Sequence, residues 1–179
     1  MIKKIILAGG CFWCVEHDLR ALSGVTKVTS GYSGGSTVAP NYYNHKDHRE
    51  AVEVEYDSTK TSFKKLVQFF LDHIDPTDDG GQFYDRGLGY KTAIFYSTAE
   101  EKQVAVDLLQ ELTDSRIYDK PIVVEVLPVT PFYKAEEEHQ EYAEKNPAHY
   151  AAYRRGSGRQ AQVDRVCAIR EEKHILWKD

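Results

Sequence analysis

The sequence predicts an α+β fold, a two-layer sandwich in which helices cover a mixed sheet. Three observations predict it. Strand-like and helix-like segments follow one another as β-α-β-β-α-β-α-β. The segment from Ala51 to Tyr56 alternates apolar and acidic residues, as a strand with one wet face does. The chain of 179 residues is 41% hydrophobic and 28% charged, enough apolar material for a real core without a disordered or membrane-spanning composition.

Each element has its own warrant. Lys4 to Ala8 is apolar and bounded by Gly9-Gly10, which predicts a buried strand. Cys14 to Leu22 places Val15, Leu19 and Leu22 at helical spacing, and Gly24 ends the run. Val25 to Tyr32 reads as a strand closed by the Ser33-Gly34-Gly35 turn, and Ala51 to Tyr56 as the next one. A helix follows with Phe63, Leu66, Val67, Phe70, Leu71 and Ile74 on one face and Thr61 or Ser62 as its N-cap. Thr92 to Tyr96 is a strand. Thr98 opens a further helix through a capping box that closes on Glu101, with Val104, Ala105, Leu108, Leu109 and Leu112 as its stripe. Ile122 to Val126 is a β-branched strand, and Ala135 to Lys145 an acidic helix. The reading is a single domain over 1–179, with a ferredoxin-like core to about residue 150 and a divergent C-terminal tail from 151 to 179.

Composition narrows the function. A net charge of −5 speaks against nucleic acid as a partner. The apolar run after Lys3-Lys4 is too short for a signal peptide, and three cysteines are an odd number for a secreted disulfide framework. A cytoplasmic protein with no membrane partner is expected.

The strongest local signal is Gly9-Gly10-Cys11-Phe12-Trp13-Cys14, set between a strand and a helix. A thiol there meets unpaired N–H groups and the positive end of the helix dipole, which favour thiolate. Buried cysteines are common as small core residues. The adjacent Phe12 and Trp13 tip the reading to chemistry, because two large aromatics at such a turn cannot both enter the core. Glu50, after the polar, aromatic loop 40–49, reads when taken alone as a solvated carboxylate, with a desolvated proton donor the alternative. Asp85 to Tyr90 is a glycine-rich turn whose Asp85 reads as structural when taken alone. A zinc site built on Cys11, Cys14, His45 and His48 has poor spacing.

Together these motifs resemble one family. Gly-Cys-Phe-Trp at 10–13, Gly-Tyr-x-Gly-Gly at 31–35, His-x-Glu-Ala-Val at 48–52 and Asp-x-Gly-x-x-Tyr at 85–90 occur in the order of methionine sulfoxide reductase A. Thr130 to Tyr133, Ala135-Glu136, His139-Gln140-x-Tyr142 and Lys145-Asn146-Pro147 extend the likeness to about Tyr150.

The resemblance implies a peptide-methionine (S)-S-oxide reductase acting in repair after oxidative stress, without cofactor or metal. Cys11 is then the nucleophile on the sulfoxide sulfur, and Glu50 the acid that protonates its oxygen. Tyr42 and Tyr90 bond that oxygen, Asp85 supports them, and Phe12 and Trp13 wall the methyl group. The loop before His48 is shorter than in common members, so Tyr43 remains an alternative to Tyr42.

Attack leaves a sulfenic acid on Cys11. Many members resolve it with a cysteine after the Asn-Pro motif, where this chain has Ala151 and a tail from Arg154 to Arg159 without one. Cys14 is favoured as the resolver because a C-x-x-C pair needs no loop movement, with Cys167 the alternative. The implied partners are oxidised proteins or peptides and a thioredoxin-type reductant. Two other classes stay open at this point: a thioredoxin-like disulfide oxidoreductase using Cys11 and Cys14, and a Cys/His metal-binding module.

Overall fold

The computed structural model describes residues 1–45 and 47–178. Its elements run β1 (Ile2–Ala8), α1 (Phe12–Arg20), β2 (Val25–Ser33), β3 (Arg49–Asp57) and α2 (Phe63–Asp72). Then come β4 (Gly81–Gln82), β5 (Asp85–Arg86), β6 (Ala93–Tyr96), α3 (Ala99–Ser115), β7 (Glu125–Pro128) and β8 (Tyr133–Lys134). The chain closes with α4 (Tyr142–Lys145), α5 (Pro147–Gly156) and α6 (Arg159–Lys173).

Six strands form one mixed sheet in the order β7-β6-β1-β3-β2-β8, parallel only between β6 and β7. The expected α+β class of sheet and helices is what the chain adopts. Register decides which residues face the helices: Ile5 pairs with Val54, Leu7 with Val52, and Tyr32 with Glu50. The even-numbered residues of β3 therefore face inward, and Glu53 and Glu55 face out, where Lys4 meets Glu53 at 2.8 Å. Phe12, Val15 and Leu19 of α1, the apolar stripe of α2, and Ala105, Leu108 and Leu112 of α3 join the inner strand residues in one core. Each such large side chain contributes about 1.5–3 kcal/mol when fully buried. Among the described residues the other face holds a small cluster of Ile6, Ala8, Ala51, Ala93 and Phe95, with Leu127 and Phe132 packed against it.

The helix starts follow local chemistry. The Ser62 side chain accepts from the Lys65 N–H at 3.2 Å, and Thr98 accepts from Glu101 at 3.1 Å. Glu101 reaches back to the N–H of Ser97 rather than of Thr98, one residue beyond a standard box.

Several boundaries depart from the sequence reading. Helix α1 starts at Phe12 because Cys11 itself occupies the cap position. The strand expected over 122–126 is displaced to Glu125–Pro128, where it pairs in parallel with β6. The acidic helix expected over 135–145 is instead a three-residue turn at Glu137–His139 and the short α4. Tertiary bonds break it: the Gln140 side chain pairs with both backbone groups of Ser30, at 3.0 and 2.9 Å. Glu141, left-handed at φ 54°, gives its N–H to the buried Glu16 carboxylate at 3.0 Å.

The tail is docked. Val166 enters the main core. Asp72, at the end of α2, accepts from Arg170 at 2.8 Å and from the Trp177 indole at 2.9 Å. No helix among the described residues is long and apolar enough to cross a membrane.

Candidate active site

Strand β1 ends in a turn that only glycine fits. Gly10 has φ +81°, and a Cβ there would lie 2.4 Å from the Gln82 side chain. The turn delivers Cys11 to the N-terminus of α1, 5% exposed, with Cys14 one turn behind it and fully buried. The first free N–H of the helix, that of Phe12, donates to the Glu50 carboxyl at 3.1 Å. Glu50 stands in phase with Val52 and Val54, so β3 aims it into the protein, and it is 2% exposed.

A cavity of about 40 Å³ opens at this point, lined by Cys11, Trp13, Tyr42, Glu50, Asp85, Tyr90 and Tyr153. The fold thus gathers residues from α1, the loop before β3, β3 itself, the 85–90 turn and α5. A larger hollow of about 370 Å³ lies against β2 and contains none of the residues expected from the sequence. Chemistry, not volume, marks the site. Tyr43 points away, 90% exposed. Phe12 is 1% exposed and packs beneath the cavity on Tyr32 and His139, so of the two aromatics only Trp13 reaches the opening. Trp13 is held by Tyr142, stacked at 3.8 Å, and its indole N–H donates to His139 Nδ1 at 3.2 Å. Glu136 accepts from the Tyr32 hydroxyl and from the N–H of Tyr42, both at 3.2 Å. The Tyr153 hydroxyl donates to Asp85.

Burial pushes the Glu50 carboxyl up to about 8, although the Phe12 N–H and the Tyr90 hydroxyl favour the carboxylate. Burial and the charge of Glu50 likewise push Tyr42 up to about 12, and both raise Tyr90 further, so these phenols stay protonated donors. The two thiols act on each other's protons. Cys14 is lowered to about 7 by its interaction with the Cys11 thiol and by the Arg159 and Arg154 charges, while burial and that same interaction hold the proton on Cys11. One acid and one ionisable thiol pair therefore meet across a single cavity.

Comparison with known proteins now decides the family. The model of the family described as peptide methionine sulfoxide reductase matches residues 3–170. The chain belongs to this family. It is 47% identical over 161 residues to peptide methionine sulfoxide reductase MsrA of Bacillus velezensis, covering 88% of this chain and 91% of that one. Methionine sulfoxide reductase A of Corynebacterium diphtheriae is similar in structure, with TM-score 0.71 and 30% identity, over 82% of this chain and 76% of that one. Mxr1 of Saccharomyces cerevisiae in reduced form matches with TM-score 0.75 and 27% identity, over 82% and 87% of the two chains.

For this methionine sulfoxide reductase the metal alternative does not assemble. Both ring nitrogens of His48 are engaged, with the Gly35 N–H at 3.1 Å and the Thr37 carbonyl at 2.8 Å. Among the described residues the one cluster with metal-ligand spacing is Glu136, Glu138 and His139. There His139 Nδ1 accepts the indole N–H, so in the neutral ring Nε2 carries the proton and offers no lone pair. Cys167 is exposed on α6 and does not line the cavity. Sequence reasoning gave no role to Tyr142, His139 or Glu136, although their motifs carried the resemblance. It missed Tyr153 and Arg159 altogether, because the tail offered no pattern to read.

Proposed function

We propose that this chain reduces methionine S-sulfoxide, in oxidised proteins or peptides, to methionine by way of a sulfenic acid on Cys11. The observation that carries the reading is the pairing of a buried, proton-holding Glu50 with Cys11 around one small cavity. A sulfoxide sulfur is a poor electrophile until its oxygen is protonated or strongly hydrogen-bonded. Glu50 supplies that proton, and the Tyr42 and Tyr90 hydroxyls bond the same oxygen, with Asp85 fixed beside them by Tyr153. Trp13, backed by Phe12, walls the methyl group and selects the epimer.

Cys14, one helical turn away, takes the proton of Cys11 as the Cys11 sulfur attacks the sulfoxide sulfur. Oxygen passes to Cys11, the substrate leaves as methionine two electrons richer, and Cys11 is left as sulfenic acid. Cys14 then displaces water from that sulfenic acid and forms a disulfide. Residues three apart in a helix lie about 5 Å apart at Cα, inside the range a disulfide spans. An external thioredoxin-type dithiol reopens the bond. The exposed Cys167 is left as a secondary thiol. This reading takes residues 1–179 as one domain and places the protein in the cytoplasm, where thiols are kept reduced. The order β6-β1-β3-β2, with β3 between β1 and β2, supports a ferredoxin-like core.

One turnover tests it. Fully reduced protein is mixed with stereochemically pure methionine sulfoxide and no reductant, and methionine formed and thiols lost are counted. The expected result is one methionine per chain from the S epimer, with two thiols lost in the wild type and one in Cys14→Ser. Two thiols lost in Cys14→Ser would move resolution to Cys167. No methionine from either epimer would end the reductase reading.

A further inference from the structure

Arg159, the first residue of α6, is 1% exposed and is one of the largest fully buried side chains among the described residues. Its guanidinium donates to the Gly9 carbonyl at 2.8 Å and the His73 carbonyl at 3.1 Å, and sits 4.8 Å over the Phe83 ring. A Cβ on Gly10 would lie 3.0 Å from its Nη2, so the cation rests on the very turn that presents Cys11.

Both of those bonds go to neutral carbonyls. Among the described residues no carboxylate lies within salt-bridge distance of Arg159. Arg154 differs, being paired with Asp18 at 3.0 Å, and so does Arg170, paired with Asp72 at 2.8 Å. A buried guanidinium cannot shed its proton, and a buried charge is costly unless an anion faces it. The anion this fold offers is the thiol pair, whose ionisation the Arg159 charge favours at both sulfurs. Among the described residues the other groups facing the pair supply no unpaired cation. Glu50, Tyr42, Tyr90 and Tyr153 surround Cys11, and Tyr150 stands with Arg154 beside Cys14.

We propose that Arg159 is a positioning residue of the reaction, the counter-charge of the Cys11–Cys14 thiolate, supplied to the site by the docking of α6. The proposal rests on the reading of Cys11 as nucleophile.

The test titrates the thiolate by its ultraviolet absorbance and by its alkylation rate with iodoacetamide, in the full chain. Cys11→Ser and Cys14→Ser assign the signal. Arg159→Gln is expected to raise the first thiolate midpoint by about one pH unit, a roughly tenfold loss of thiolate and of alkylation rate near neutral pH. Arg159→Lys keeps the charge and is expected to stay within about twofold of the wild type. A lowered melting temperature with an unmoved thiolate titration in Arg159→Gln would overturn the proposal, leaving Arg159 a brace for two carbonyls.

Should Arg159→Gln fail to fold, the wild type suffices. The Arg159 Nε resonance must follow the thiolate titration, and a resonance flat across it overturns the proposal equally. Single turnover of Cys11→Ser separates the two readings. Methionine formed by that variant refutes Cys11 as nucleophile, whereas an Arg159-dependent titration would still place the counter-charge on the remaining thiol.

Discussion

Glu50 shows how one backbone phase becomes chemistry. Every second residue of β3 from Glu50 to Tyr56 faces the helices, and three of those four are apolar or aromatic. The carboxyl is therefore denied water and keeps its proton to about pH 8. Glu50→Gln should lower kcat by about 10²–10⁴-fold, the range of a general acid, and abolish the falling limb of the pH profile near pH 8. Stability should respond too. With its pKa raised from 4.5 to about 8, the folded state holds a proton that the unfolded chain has lost between those values. Wild-type stability therefore falls as pH rises through that window. Glu50→Gln should be more stable than wild type near pH 9, by at most a few kcal/mol, and the gain should vanish near pH 4, as urea unfolding at the two pH values would show. The buried phase was legible in the sequence, since Glu50 is in step with Val52 and Val54 and out of step with Glu53 and Glu55. A solvated Glu50 at the strand edge was the simpler expectation for the residue alone, and it misses that phase.

Elements were legible in proportion to their length. Strand β3 and helices α2 and α3 repeat their period often enough to be read directly, and their caps follow from Ser62 and Thr98. Strands β4, β5 and β8 have two residues each and carry no period at all. The 135–145 segment has good local helix propensity, but Gln140 and Glu141 gain more from Ser30 and Glu16 across the fold than from a continued helix. Two variants separate these cases. Thr98→Ala should cost about 1 kcal/mol of stability and leave kcat and KM unchanged, since α3 starts beside Tyr56, at the end of β3 away from Glu50. Gln140→Ala strands the buried N–H of Ser30, whose carbonyl keeps the Ala135 N–H, and should cost about 1–3 kcal/mol. It should also raise KM for the sulfoxide, because Gln140 lies between His139 and Tyr142, the two residues that hold Trp13. A Gln140→Ala enzyme with weakened stability and unchanged KM would detach this segment from substrate binding.

At the scale of the molecule, the C-terminal helices complete the site and also close it. Tyr153 of α5 lines the cavity, Arg159 of α6 sits on the cysteine turn, and the two sulfurs behind them are nearly or fully buried. None of this was readable from residues 151–179, because a tyrosine or arginine in a mixed-charge tail acquires a role only through what it lies against. The closure creates a problem for the proposed cycle, in which a protein dithiol must reach a Cys11–Cys14 disulfide that the reduced fold shields. Oxidation carries its own answer. On the proposed pairing, joining Cys11 to Cys14 would consume the thiolate, so Arg159 would keep its buried charge and lose the anion that offset it, weakening the docked state of α6. Amide hydrogen exchange over 147–173 should therefore be faster in the disulfide form than in the reduced form, with β1 and β3 unchanged. The same contrast should shrink in Arg159→Gln, where no charge is stranded. Equal protection of the tail in both redox states would mean that the reductant enters by another face, and that α6 stays in place throughout the cycle.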